Sequence, residues 1–171
     1  MAKKEFNKDK IKKEEKDLDR KLVSVRRVTK VVKGGRNMSF SAFVVVGDHK
    51  GKVGIGTGKA AETSVAVEKA FQAAKKNMVD VTIVNDTVPH EEKGQFGAST
   101  VLIIPAPEGT GIIAGGSSRA IFELAGYKNI VSKSFGARNK INTVKATLDA
   151  LGKMRSKEVV AAMRGKTVDE I

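Results

Sequence analysis

The stretch LVSVRRVTKVVKGGRNMSFSAFVVVG, residues 22–47, decides the fold. Its first part, LVSVRRVTKVV, is β-branched and partly alternating, with Val23, Val25 and Val28 interleaved with Arg26, Arg27 and Lys30, and reads as a strand. SFSAFVVVG (39–47) reads as a second strand. Between them, Gly34 and Gly35 stand between Lys33 and Arg36. Glycine permits the positive φ angles of a two-residue hairpin loop. With Gly34 and Gly35 as that loop, Lys33 and Arg36 sit opposite each other, and like charges directly across a ladder repel. A phosphate from outside would turn that repulsion into binding. The loop is therefore expected to hold an anion, with a cation on either shoulder.

Working outward, GDHKG (47–51) is a turn and KVGIGTG (52–58) a short third strand ending in glycines. KAAETSVAVEKAFQAAKKNM (59–78) reads as a helix, with Ala60, Val67, Ala70, Phe71, Ala74 and Met78 on one side. Residues 22–78 thus form β-β-β-α, a three-stranded antiparallel sheet with one helix on its apolar face. VDVTIVND (79–86) alternates as a strand that links the halves, and STVLIIPAP is a buried strand stopped by Pro105 and Pro107. A helix follows from about Ser117 to Ala125, with Gly126 as its stop. KNIVSKSFG reads as a strand, NTVKATLDALGKM as a helix capped by Asn142, and SKEVVAAMRG as a last helix.

The fold class is α+β in two small domains: a β-β-β-α unit and a β-α-β-α unit with a helical tail. The expected boundaries are a charged flexible extension over 1–20, a first domain over 21–84, a second over 85–165, and a tail over 166–171. The first 20 residues carry only Phe6, Ile11 and Leu18 as large apolar side chains, too few to offset the entropy of ordering.

Charge narrows the function. Lys and Arg number 32 against 19 Asp and Glu, a net charge of +13. So basic a chain repels itself unless a polyanion binds it, and nucleic acid is the commonest polyanion. No apolar run approaches the about 18 residues of a membrane span, and the N-terminus mixes charge signs without the apolar core of a secretion signal. A cytoplasmic protein is expected, and the lack of cysteine excludes disulfides and thiolate metal sites.

Catalytic readings fare poorly. VGIGTGKA (53–60) suggests a phosphate-binding loop, but Val53 and Ala60 stand where that motif needs Gly and Ser or Thr, so a structural strand-to-helix turn is expected. GTGIIA (109–114) formally fits a dinucleotide fingerprint, yet no Asp or Glu lies between Leu124 and Leu148 to bind a ribose. His49 and His90 are isolated, which leaves no metal cluster, and no nucleophile elbow occurs. The chain reads as no enzyme, with no cofactor.

The basic residues do form a pattern. Arg26, Arg27 and Lys30 lie on the first strand, Lys33 and Arg36 flank Gly34 and Gly35, and Lys50 and Lys52 bracket the next turn. Lys59 opens the helix, beside its exposed N–H groups. These ten residues are the candidate RNA-binding set. Lys75 and Lys76, at the helix end, fit RNA contact and the helix dipole equally well.

The same stretches, VRRVTKVVKGGR, GKVGIGTGKA, PHEEKGQFGA, PAPEGTGIIAGGSSRAIFELAG, INTVKATLDAL and VAAMRGKTVDEI, resemble the bacterial small-subunit ribosomal protein S-five family in order and spacing. The resemblance covers roughly residues 21–171. It implies a first domain related to double-stranded-RNA-binding domains and a structural role on small-subunit ribosomal RNA where head meets body. It also implies contacts with ribosomal proteins S-four and S-eight, an influence on translational accuracy, and messenger RNA near the entry channel. The loop matching Val32 to Arg36 is implied to reach RNA near the spectinomycin site, and Gly109, Gly111 and Arg119 to lie at the contact with S-four. Ser64 and Lys140 stand where such proteins often carry proline. The usual first helix of a double-stranded-RNA-binding domain is missing, which favours a folded RNA surface over two successive minor grooves. The alternative is a free-standing double-stranded-RNA-binding regulatory protein.

Overall fold

In the first sheet, β1 (Asp19–Val32) pairs antiparallel with β2 (Gly35–Gly47), β2 with β3 (Lys52–Ala60), and β3 with the three residues of β4 (Met78–Asp80). The computed structural model describes residues 18–167 and 170, so most of the expected extension lies outside the described residues; Asp19 and Arg20 already belong to β1. Helix α1 (Thr63–Lys76) covers one face. The sheet has four strands rather than three, because Met78–Asp80 pairs with β3.

β3 bears out the strand read over 52–58 and extends it. Lys59 and Ala60 are strand as well, not a strand-to-helix turn, and Lys59 pairs with Ser41 on β2 instead of opening the helix. The reason is a glycine at every second position. A Cβ on Gly54, Gly56 or Gly58 would stand 2.3, 2.1 or 2.2 Å from the carbonyl oxygen of Ala74, Ala70 or Ala66. Period two is the period of a strand face. The bare glycine row lets the alanine face of α1 lie directly on the backbone.

A β-bulge between Leu22 and Ser24 changes which β1 side chains share a face. Before it, Arg20 stands on the α1 side, over the Phe71 ring at 5.6 Å, and Lys21 on the other. After it the order reverses. Val25 and Arg27 join the α1 side with Ala42, while Arg26 and Lys30 join the face of Phe43 and Val45.

The second half contains β5 (Glu92–Phe96), β6 (Ser99–Pro105), β7 (Ile112–Ile113), α2 (Gly116–Ala125), β8 (Ile130–Gly136), α3 (Lys140–Lys153) and α4 (Lys157–Arg164). The sheet order is β5-β6-β8-β7, with only β7 and β8 parallel. β5 and β7 were not expected: Gly94 interrupts the apolar alternation of the first, and the second is two residues long. Gly94 is where α3 presses on the sheet, 2.0 Å from a would-be Cβ to the Ala146 carbonyl oxygen. The cap of α3 is Asn139, not Asn142; the Asn139 side chain accepts from the Ile141 N–H at 3.2 Å. Gly126 ends α2 at φ +99, as its sequence position suggests.

The two sheets share one core. Phe43, Val45 and Val53 of the first pack in the same cluster as Ile103, Ile121, Phe122 and Leu151 of the second. The turn between β2 and β3 caps the end of α2: the His49 and Gly51 N–H groups donate to the Leu124 and Ala125 carbonyls at 2.9 and 3.0 Å. His49 Nδ1–H donates to the Glu123 carbonyl at 2.8 Å. These carbonyls would otherwise be orphans of the helix end. Gly47 and Gly126 make the approach possible, since a Cβ on either would sit within 2.3 Å of the other half's backbone.

Candidate nucleic-acid interface

β3 ends at Ala60, opposite Phe40, while β1 and β2 run on to their turn. Residues Val28–Ser39 therefore form a two-stranded arm, and every residue from Thr29 to Met38 is exposed. Strand rise makes this projection about 15–20 Å long. No acidic residue occurs between Asp19 and Asp48, so nothing along the arm's own sequence neutralises its cations.

The turn at its tip differs from the expected one. Val32 pairs with Gly35 and Val31 with Arg36, which leaves Lys33 and Gly34 as the two turn residues. Lys33 and Arg36 are not opposed. The like-charge repulsion is relieved by register, because Gly35 at φ +137 takes the ladder position that closes the turn. Lys33 occupies the apex instead of a shoulder.

The pleat divides the remaining cations. Arg26, Ser41 and Lys59 form one row across β1, β2 and β3 on the face away from α1. Two strand spacings put the two cationic residues about 10 Å apart. Lys30 lies on the same face, as do Asn37 and Ser39 of β2. That polar alternation, Asn37-Ser39-Ser41, is a period-two signal in the sequence that the reading of charge alone passed over. Arg27 and Arg36 occupy the opposite face.

Lys50 and Lys52 lie at the other end of β2, about 40 Å from the tip by strand rise. Asp48 Oδ1 accepts from the Lys50 and Lys52 N–H groups at 2.8 and 3.0 Å, and Lys52 Nζ stands 3.6 Å from Asp80 Oδ1. The structure thus brings Arg26, Lys30 and Lys59 together with the Lys33-Gly34-Gly35-Arg36 tip, and sets Lys50 and Lys52 apart.

Of the residues expected at a protein contact, Gly109 and Gly111 lie between β6 and β7 at φ +86 and +71, where a side chain would be strained although space is open. Arg119 is on α2, its Nε–H donating to Glu123 Oε1 at 2.8 Å. Glu123 also accepts from Lys21 Nζ of β1. Those two hydrogen bonds, Lys21 first, hold the Glu123 carboxyl below its ordinary range. Arg119 is therefore part of a junction contact.

Among the described residues no three His, Asp or Glu side chains gather as a metal site, and no helix is long and apolar enough to cross a membrane. Every buried side-chain polar atom among them has a hydrogen-bond partner.

Comparison with known families places this geometry. The model described as ribosomal protein S5, N-terminal domain, matches residues 18–82, and that described as ribosomal protein S5, C-terminal domain, matches residues 94–164. The unmatched residues between them fall in the connection from β4 to β5 and the start of β5.

Proposed function

The chain belongs to the ribosomal protein S5 family, and from that premise we propose that it anchors small-subunit ribosomal RNA at the head–body junction through the β1–β2 arm. Family membership makes it an RNA-binding protein of the small ribosomal subunit, structural rather than catalytic, with ribosomal RNA and ribosomal proteins as its partners, bound to ribosomes in the cytoplasm.

The finer reading rests on one observation: an exposed two-stranded arm carries Lys30, Lys33 and Arg36, with Arg26, Arg27 and Lys59 at its root and no carboxylate in its sequence. A narrow ribbon with cations on both faces and at its apex fits a groove between phosphate backbones. Affinity then comes from phosphate contacts and position from the glycine-containing tip. Gly109, Gly111 and Arg119 belong in this reading to a contact with ribosomal protein S-four. Contact with S-eight, proximity to messenger RNA at the entry channel, and an influence on accuracy rest on the family resemblance.

Sedimentation of a cell lysate at low and high salt tests this reading. Co-migration with the small subunit, persisting above the salt that strips loosely bound basic proteins, is expected. Recovery only at the top of the gradient would instead identify a free-standing duplex-RNA-binding regulator.

A further inference from the structure

Val23 has no partner on β2: Leu22 stands opposite Val44 and Ser24 opposite Phe43, so Val23 and Ser24 together oppose one residue. Such an extra residue bends its strand and increases the local twist. Two registers meet here. Upstream, the junction fixes the phase of β1, with Lys21 Nζ donating to Glu123 of α2 and Asp19 Oδ2 facing His49 Nε2 at 2.9 Å. Downstream, the turn at Lys33 and Gly34 fixes every pair back from the tip. The bulge absorbs the one residue by which the two disagree.

Val23 is half-buried against the shared core cluster that holds Phe43. It lines a hollow with Gly116, Ser117 and Ala120 of α2 and Lys140 of α3. The bend therefore sits where β1 leans on the second half, whereas Thr29 to Met38 are exposed throughout. Lys33 lies ten residues beyond Val23. At strand rise that is a lever of about 33 Å, so a change of about 10° at the bulge moves the tip by about 6 Å. Charge-assisted hydrogen bonds to phosphate span about 2.7–2.9 Å, and a displacement of that size breaks them.

Resting on the reading of the arm as an RNA anchor, we infer that Val23 is a positioning residue for RNA binding. Its bulge, seated against α2, sets the angle at which the arm leaves the rest of the molecule, and so where Lys33 and Arg36 meet phosphate. The arm is thereby aimed by the second half of the chain and not by the first sheet alone.

Deleting Val23 isolates the bend. Leu22 and Ser24 keep their partners, the ladder becomes regular, and no arm cation changes face. The absence of native cysteine allows nitroxide labels at Lys33→Cys on the tip and at Gly152→Cys on α3, an exposed position with open space beside it. Pulsed electron spin resonance on the free chain should show the mean distance between them shifting by about 5 Å or more on deletion. Without labels, the deletion should weaken binding to small-subunit ribosomal RNA about tenfold or more, with the melting temperature falling by less than about 8 °C. An unchanged distance in the folded variant would overturn the inference, and so would a shifted distance with unchanged affinity. If the deletion does not fold, Val23→Gly keeps the bulge and removes its seat. The distance distribution should then widen by about half or more, and an unchanged width would overturn the role of the seat. Lys33→Gln in the otherwise native chain reports on the arm reading separately: unchanged RNA affinity there would sink that reading, whatever the distances show.

Discussion

The β1–β2 ladder has two ends that behave as different materials. At the Gly47 end the backbone touches the second half of the molecule, and the adjoining turn caps α2 through His49 and Gly51. At the Val32–Gly35 end there is no third strand, no helix and no buried residue from Thr29 to Met38. Among the described residues Arg26, Arg27, Lys30, Lys33 and Arg36 have no ion-pair partner, whereas Lys21, Lys52 and Arg119 near the junction each meet a carboxylate. Cations near the junction are spent on the fold. Those on the arm are left for a ligand.

Substitutions at the two ends should therefore separate stability from binding. Gly56→Val, where the Cβ alone meets the Ala70 carbonyl oxygen at 2.1 Å, should lift α1 from the sheet and cost about 3–5 kcal/mol. Thermal unfolding would show it as a fall of about 10 °C or more. Gly126→Ala faces both φ +99 and a 2.3 Å approach to the His49 carbonyl oxygen, so about 2–3 kcal/mol of loss is expected in denaturant melts. Unchanged stability there would show that the junction does not bear on the fold. Glu123→Gln is a smaller test, worth about 1 kcal/mol or less for partly exposed ion pairs. The native carboxyl lies below its unfolded value near 4.5, so its contribution is present above that pH and fades as pH falls through the native value. Wild type and Glu123→Gln should thus differ in stability near neutrality and converge in acid. Smallest in stability is Lys33→Glu, within about 0.5 kcal/mol of wild type because the residue touches nothing buried; weaker RNA association or an altered spectinomycin response is its expected signature. A melted fold in that variant would break the contrast between the two ends.

Much of this was legible in the sequence where one period dominated. The first two strands, the stop of α2 at Gly126 and the charge of the arm all follow from local chemistry. The strand carrying the glycine row of β3 was legible, but its end was set at Gly58 rather than Ala60, because glycine signals both a turn and a strand face stripped for a helix. Only the position of the Ala66, Ala70 and Ala74 stripe above it separates the two. The turn at the arm's tip was placed one residue late, since either register keeps the same side chains on the same faces. The bulge at Val23 left no sequence mark, yet it decides that Arg26 and Lys30, rather than Arg27, join Lys59.

The central claim is that the arm's cations serve RNA and not the fold. Its most direct measurement is the salt dependence of binding to small-subunit ribosomal RNA for wild type and a Lys30→Gln, Lys33→Gln, Arg36→Gln triple variant. The slope of log affinity against log salt should fall by about 2–3, as expected for the loss of up to three phosphate contacts, with the melting temperature within about 2 °C of wild type. An unchanged slope and affinity in a folded triple variant would contradict the account.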